Sequence, residues 1–327
     1  MTTMLIGCSL RILSFLRRRN EVEIFMELQI KLKNEGINYI IPPHGVTVTF
    51  HVPSKCRNNC QFCIVNQNYY NDSIEPSNDA ISKAAEALVN ADFVGSFVIS
   101  GGEPLDDIEF VEYLVQLLRR NEATEPIYIN TQFPVDKFDD FCRYFDNPFS
   151  SFLKNNIAGV SISRHAGRHS DEHFAIEGAQ DYFIKEFAEK FPIRINCVLN
   201  DKTDIVGVVN RWKDASVTVS FRRNYLDTTE VDLYEIDKET KQKFGEAGVI
   251  GDVDVKSDNV HCYKALVLKE PTKAKFQYYA CLENTCVKHR FIDDVEVCEL
   301  HDIVVLPDGR IFDDWDIQKA HEIVFEG

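Results

Sequence analysis

The sequence predicts an α/β fold: a parallel barrel, or part of one, followed by an α+β extension. Three observations carry this expectation. Apolar runs of strand length alternate with segments of helical periodicity six times in succession between residues 46 and 221, which is how parallel βαβ units read in sequence. The chain has 327 residues, enough for one α/β barrel plus an extension. From Tyr225 onward the alternation gives way to a charge-dense stretch, Asp227 to Glu246, and then to short strand-like runs. The expected organisation is an N-terminal extension over 1–40, a core barrel over 41–225 and a C-terminal extension over 226–327.

Taken in order, Met4 to Leu16 is apolar, broken by Arg11 and followed by Arg17, Arg18 and Arg19. It is too short to span a bilayer, and its charges follow the apolar run instead of preceding it as in an export signal. A packing helix or partly ordered extension is expected there, without a membrane role. Val46 to Phe50 alternates as a strand with one packed face. Pro76 to Asn90 reads as a helix capped by Ser77 or Asn78. Strands are expected at Phe93 to Ser100, Pro126 to Thr131, Ile157 to Ser163, Ile193 to Leu199 and Val217 to Phe221. The helices between them are expected at Asp106 to Arg120, Val135 to Phe145, Gln180 to Lys190 and Ile205 to Lys213.

The loop leaving the first of these strands holds Cys56, Cys60 and Cys63, a C-x3-C-x2-C spacing. Three thiolates on so short a loop can hold a soft metal or an iron–sulfur cluster, and they leave one coordination position for another ligand. A structural zinc would need a fourth protein ligand nearby, and none follows within a few residues. A disulfide framework does not suit a chain of this length without an export signal. Chance clustering among ten cysteines is the remaining alternative. The loop resembles the cluster loop of the radical S-adenosylmethionine (radical SAM) enzymes. That resemblance implies a [4Fe–4S] cluster held by Cys56, Cys60 and Cys63, with SAM on the unique iron. Phe62, before the third cysteine, would then lie near the adenine. It also implies that the barrel is a partial (β/α)6 TIM-type barrel.

The second strand ends in Gly101, Gly102, Glu103 and Pro104. Two glycines at a strand end allow a ligand close to the backbone, and Glu103 places an acceptor where a ligand ammonium could bind. Alone, Gly-Gly-Glu-Pro is an ordinary turn. Following the cysteine loop in the right order, it resembles the Gly-Gly-Glu motif of the same family, whose backbone and glutamate bind the SAM amino group. Beyond it, Ser163 and Arg164 at the end of the fourth strand, Asn196 on the fifth and Arg222 on the sixth are candidates for the SAM ribose and carboxylate. Each also reads as a polar strand end with an ordinary capping role. His165, His169 and His173 recur every fourth residue on the next loop, which suggests substrate contact more than metal binding. Tyr69 and Tyr70 follow the cysteine loop as hydrogen-atom donors or as cover for the cluster.

In the extension, Ile303 to Leu306, Pro307-Asp308-Gly309 and Arg310 to Phe312 make a hairpin pattern. It resembles the hairpin of SPASM and twitch extensions, with Cys298 and Gly309 matching and Asp314 standing where the second cysteine belongs. Cys262, Cys281, Cys286 and Cys298 are candidates for an auxiliary metal or cluster, or else are unligated cysteines.

Lysine and arginine total 36 against 52 aspartates and glutamates, a formal charge of −16. This disfavours tracking a nucleic-acid backbone. Scattered cysteines fit a reducing cytosol. The resemblance implies an enzyme that takes one electron from a donor such as flavodoxin or ferredoxin. It would cleave SAM reductively to a 5′-deoxyadenosyl radical, which abstracts hydrogen from a peptide or small metabolite. A nucleoside- or RNA-modifying enzyme and a non-catalytic iron–sulfur or zinc binding module are the alternatives.

Overall fold

The structure, a computed structural model, describes residues 26–31, 36–42, 45–54, 56, 60, 63, 74–145, 152–164, 179–200, 203–224, 236–255, 263–279, 287–292, 295–318 and 320–325. The apolar segment 4–16 lies outside them.

Six parallel strands form the centre: β3 (Val46–Val52), β4 (Val94–Gly101), β5 (Ile127–Thr131), β6 (Gly159–Ser163), β7 (Ile193–Leu199) and β8 (Val217–Arg223). They pair in chain order, as the alternation requires. Between them run α1 (Asn78–Val89), α2 (Ile108–Arg120), α3 (Phe138–Phe145), α4 (Phe152–Asn156), α5 (Ala179–Ala188) and α6 (Ile205–Trp212). Helix α1 starts where Ser77 accepts from the Ala80 N–H, and its Ile81, Ala84, Ala85 and Leu88 face the sheet. These are the i, i+3, i+4, i+7 positions of one helical stripe. Helix α2 is capped by Asp107 at 3.1 Å from the Phe110 N–H and buries five apolar residues. At its far end the Arg119 guanidinium holds the carbonyls of Ala123, Glu125 and Asn156.

Because successive crossovers of one hand put their helices on one side, alternate residues of each strand meet different surroundings. Val48, Phe50, Phe97, Ile99, Ile129, Ile162, Ile195 and Val219 are buried in one core with the helices. The opposite face presents polar residues that the parallel register sets in pairs: Thr47 opposite Ser96, Asn130 opposite Ser161 and Asn196 opposite Ser220.

The C-terminal residues continue this sheet on both flanks. The predicted hairpin forms as β14 (Asp302–Val305) and β15 (Ile311–Phe312), antiparallel to each other, with β14 parallel to β3. Its turn needs Gly309: φ is +83°, and a Cβ there would stand 2.6 Å from Ala80 of α1. After α7 (Lys238–Glu246), the strands β9 (Val249–Val255), β10 (Tyr263–Leu268) and β11 (Lys275–Tyr279) extend the other flank, β11 parallel to β8. Among the described residues the eleven-stranded sheet does not close: β15 and β9 are its edges. A second sheet joins β1 (Met26–Lys31), β2 (Gly36–Ile41), β12 (Val287–Ile292) and β13 (Val295–Leu300). It is tied to the first by the Tyr39 hydroxyl, which donates to Asp313 at 2.6 Å. No helix among the described residues is long and apolar enough to cross a membrane.

Candidate active site

The cysteine loop and the Gly-Gly-Glu turn lie side by side because β3 and β4 pair up to their last residues, Val52 opposite Gly101. Gly101 has φ +111°, and a Cβ on it would stand 2.9 Å from the Val52 nitrogen. Only glycine suits both the conformation and the approach. Ser54, just past β3, donates its hydroxyl to the Glu103 carbonyl at 2.8 Å, which fixes the start of the cysteine loop on the turn.

Cys56, Cys60 and Cys63 are not joined in disulfides, and each is half-buried. The Cys63 N–H donates to the Cys60 carbonyl at 3.0 Å, closing a tight turn. Burial, and then the neighbouring Cys63 and Cys56, push the Cys60 thiol up to about 12. A thiol raised by burial and by two neighbouring cysteines marks a place where a thiolate is costly until a cation compensates it. The donor set therefore fits an iron–sulfur cluster. A cubane asks for one thiolate per iron. Phe62, Tyr69, Tyr70, His165, His169 and His173 lie outside the described residues.

Glu103 turns its carboxylate into the protein and is 1% exposed. One oxygen accepts from the Leu105 N–H at 2.9 Å and from the Thr131 hydroxyl; the other accepts from the Gln132 N–H at 2.8 Å. Burial raises its pKa to about 7, against the opposing pull of those hydrogen bonds. The carboxylate thus joins the end of β4 to the end of β5.

Gln132 is the residue that sequence reasoning missed. Its side-chain amide donates to the Cys56 sulfur, its N–H serves Glu103, and its carbonyl accepts from the Arg164 guanidinium. One residue therefore links the cysteine loop, the Gly-Gly-Glu turn and the end of β6. The signal that could have found it is the polar pair Thr131-Gln132 ending the third strand, the same logic applied to the other strand ends.

Arg164 is buried, donates also to the Ser163 carbonyl at 3.0 Å, and its own N–H bonds the Asn196 carbonyl at 2.8 Å. Ser163, Asn196, Ser220 and Gln277 form one cross-strand row, with Gln277 donating to the Ser220 hydroxyl at 2.6 Å. The Asn196 Oδ1 in that row is buried with no hydrogen-bond partner among the described residues. Arg222 lies one row further on, its guanidinium 5.3 Å from the Tyr279 ring centre.

The C-terminal segment reaches the same end of β3. His51 packs against Trp315 with ring centres 5.3 Å apart. Asp314, at the position where a SPASM pattern would have cysteine, is buried and accepts from the Asp316 N–H at 2.7 Å, as a turn cap does. Cys262, Cys281 and Cys286, and the Cys298 side chain, lie outside the described residues.

Residues 51–156 match the family model of the radical SAM superfamily. The matched stretch runs from the cysteine loop through the Gly-Gly-Glu turn and Gln132 to α4; Ser163, Arg164, Asn196 and Arg222 lie beyond it. Three solved structures are similar to this chain. One is native anSMEcpe with bound AdoMet and Cp18Cys peptide (TM-score 0.40, 19% identity, 61% of this chain and 57% of that one). Another is hexahistidine-tagged anSMEcpe with bound AdoMet (TM-score 0.47, 14% identity, 84% and 76%). The third is BtrN in complex with AdoMet and 2-DOIA (TM-score 0.31, 17% identity, 47% and 58%). The chain spans less than two thirds of the length of the first and third of these. No curated protein matches it.

Proposed function

We propose that the protein is a radical SAM enzyme that takes an electron from an external donor such as flavodoxin or ferredoxin and abstracts hydrogen from a peptide or small metabolite. The observation that carries this reading is the meeting of its two motifs through one residue: Gln132 binds Cys56 with its side chain and Glu103 with its backbone. Cys56, Cys60 and Cys63 would hold a [4Fe–4S] cluster. When bound, cluster and SAM together supply reductive cleavage to methionine and a 5′-deoxyadenosyl radical, chemistry that belongs to the cofactor.

The chain's own residues bind, orient and exclude water. Gly101 and Gly102 keep the strand end open to the amino acid end of SAM. Glu103, occupied by three protein donors, holds the two strand ends at a fixed spacing. Ser163 and Asn196 offer a hydroxyl and a buried amide oxygen to the ribose, and Arg164 and Arg222 offer positive charge to the SAM carboxylate. Phe62 would pack near the adenine. The neutral, buried His51 against Trp315 keeps water from one side of the mouth. Free cysteines and an oxygen-sensitive centre suit a reducing cytosol.

The test is anaerobic purification, cluster reconstitution and assay for dithionite-dependent 5′-deoxyadenosine. Product is expected from the parent chain, and none from Cys60→Ala. Absence of product from a chain with an intact cluster and bound SAM would sink the proposal and leave a binding module.

A further inference from the structure

We propose that the opposite, N-terminal end of the central sheet holds a second site, which binds a small anionic molecule through phosphate or carboxylate. A cavity of about 560 Å³ lies there, within the size range of small-ligand sites. It is bounded by the starts of β5, β6, β7, β8 and β11. The cysteine loop and Gly-Gly-Glu turn lie at the other ends of their strands.

The lining is organised by register. Ser161, Arg194, Thr218 and Lys275 stand opposite one another on four adjacent parallel strands, making one row of hydroxyl, guanidinium, hydroxyl and ammonium across the polar face. All four line the cavity. The row lies two residues, about 7 Å, below the row of Ser163, Asn196, Ser220 and Gln277, so the two sites are stacked along the strands.

Charge separates this row from the rest of the molecule. The chain carries −16 overall, yet the ionisable residues lining this cavity include Arg194, Lys273 and Lys275. Lys273 is committed, held by Glu189 at 2.6 Å. Arg194 and Lys275 have no ion-pair or hydrogen-bond partner among the described residues, and Arg194 is half-buried. A guanidinium drawn part-way out of water without an acceptor costs stability. A bound oxyanion removes that cost, because the guanidinium fork matches phosphate and carboxylate bidentately. The flanking Ser161 and Thr218 hydroxyls donate to the same group, and Lys275 adds charge at the rim.

The test is calorimetric titration of the full chain, cluster reconstituted, with inorganic phosphate and, in parallel, succinate; the tighter of the two identifies the oxyanion class. Saturable binding is expected. Arg194→Gln should weaken it about tenfold or more, as loss of a charge-assisted fork does, and Lys275→Gln about threefold. Arg194→Lys, which keeps the charge and loses the fork, should fall between parent and Arg194→Gln, and it carries the test if Arg194→Gln does not fold. Lys83→Gln, on the exposed face of α1 with Asp79 as its partner, should change nothing. Cluster absorbance should be unaltered throughout, so the result is independent of SAM cleavage. Absence of saturable binding for both anions overturns the proposal. So does binding that Arg194→Gln leaves intact, or an equal loss in Lys83→Gln.

Discussion

The two faces of the central sheet use the same strands for opposite purposes. On β4, Phe97 and Ile99 are fully buried under helices, while their neighbours Ser96, Val98 and Ser100 face the other side and stay partly accessible. The apolar face holds the fold together through area removed from water. The polar face contributes little to that and lines up polar side chains instead: Asn196, Ser220 and Gln277 in one row, Arg194, Thr218 and Lys275 in another. The comparison teaches that a parallel sheet flanked by helices on one side gains stability and a site from one alternation, with no residue asked to serve both.

The largest break in this comparison comes from the apolar face. Phe97→Ala, which removes a ring packed against Phe50, should cost about 3–5 kcal/mol in urea unfolding. Iron content of the folded fraction should be unchanged.

A polar-face residue tests the comparison differently through pH. Burial lowers the His51 pKa from 6.5 to about 3, so the unfolded chain binds a proton there that the folded chain does not. Its contribution is fully present above pH 6.5 and falls by about 1.4 kcal/mol per unit as pH drops towards 3. Glu103 and Asp302, whose values burial raises to about 7 and about 6, act with the opposite sign. Each adds stability as pH falls through its folded value towards its unfolded one. The difference between parent and His51→Phe isolates the histidine: its pH slope between 6.5 and 3 should vanish in the variant, and an unchanged slope would show that His51 titrates normally.

Gln132→Leu keeps the volume and removes the N–H donor to Cys56. Iron retention against a chelator should fall about 10–100-fold, the usual loss for a residue orienting a ligand. The reconstituted cluster should be reduced at a more negative potential, because the donor stabilises the more negative state. An unchanged potential, measured by spectroscopic titration, would rule out that hydrogen bond in the folded protein.

The smallest effect belongs to the polar face alone. Ser96→Ala removes one hydroxyl 3.3 Å from the Thr47 hydroxyl and should change stability by about 1 kcal/mol or less. A loss approaching that of Phe97→Ala would end the distinction between the two faces.

Much of this was legible in the chain because it is written locally. Strand and helix periods place the central elements, Ser77 starts its helix with its own side chain, and Cys56, Cys60 and Cys63 stand at a recognisable spacing. Gly101 and Gly309 read as turn residues, and both stand at positive φ against a neighbouring backbone. What was not legible depends on register and on residues distant in sequence. Gln132 is 76 residues from Cys56, and Glu103 reads as an acceptor for a ligand ammonium, its bonds to Thr131 and Gln132 unseen until β5 is brought beside it. Ser161, Arg194, Thr218 and Lys275 are four unrelated polar residues until pairing aligns them. The extension reads as a separate region, yet β14 and β11 pair with β3 and β8, since exposed strand edges are satisfied by whichever strand reaches them. Sequence alone determined the six central strands, most of the helices between them and the spacing of the cysteine loop, because propensity, capping and motif spacing are short-range. Tertiary structure alone decided which polar groups share a row and which donor meets the Cys56 sulfur, because those depend on long-range pairing between strands.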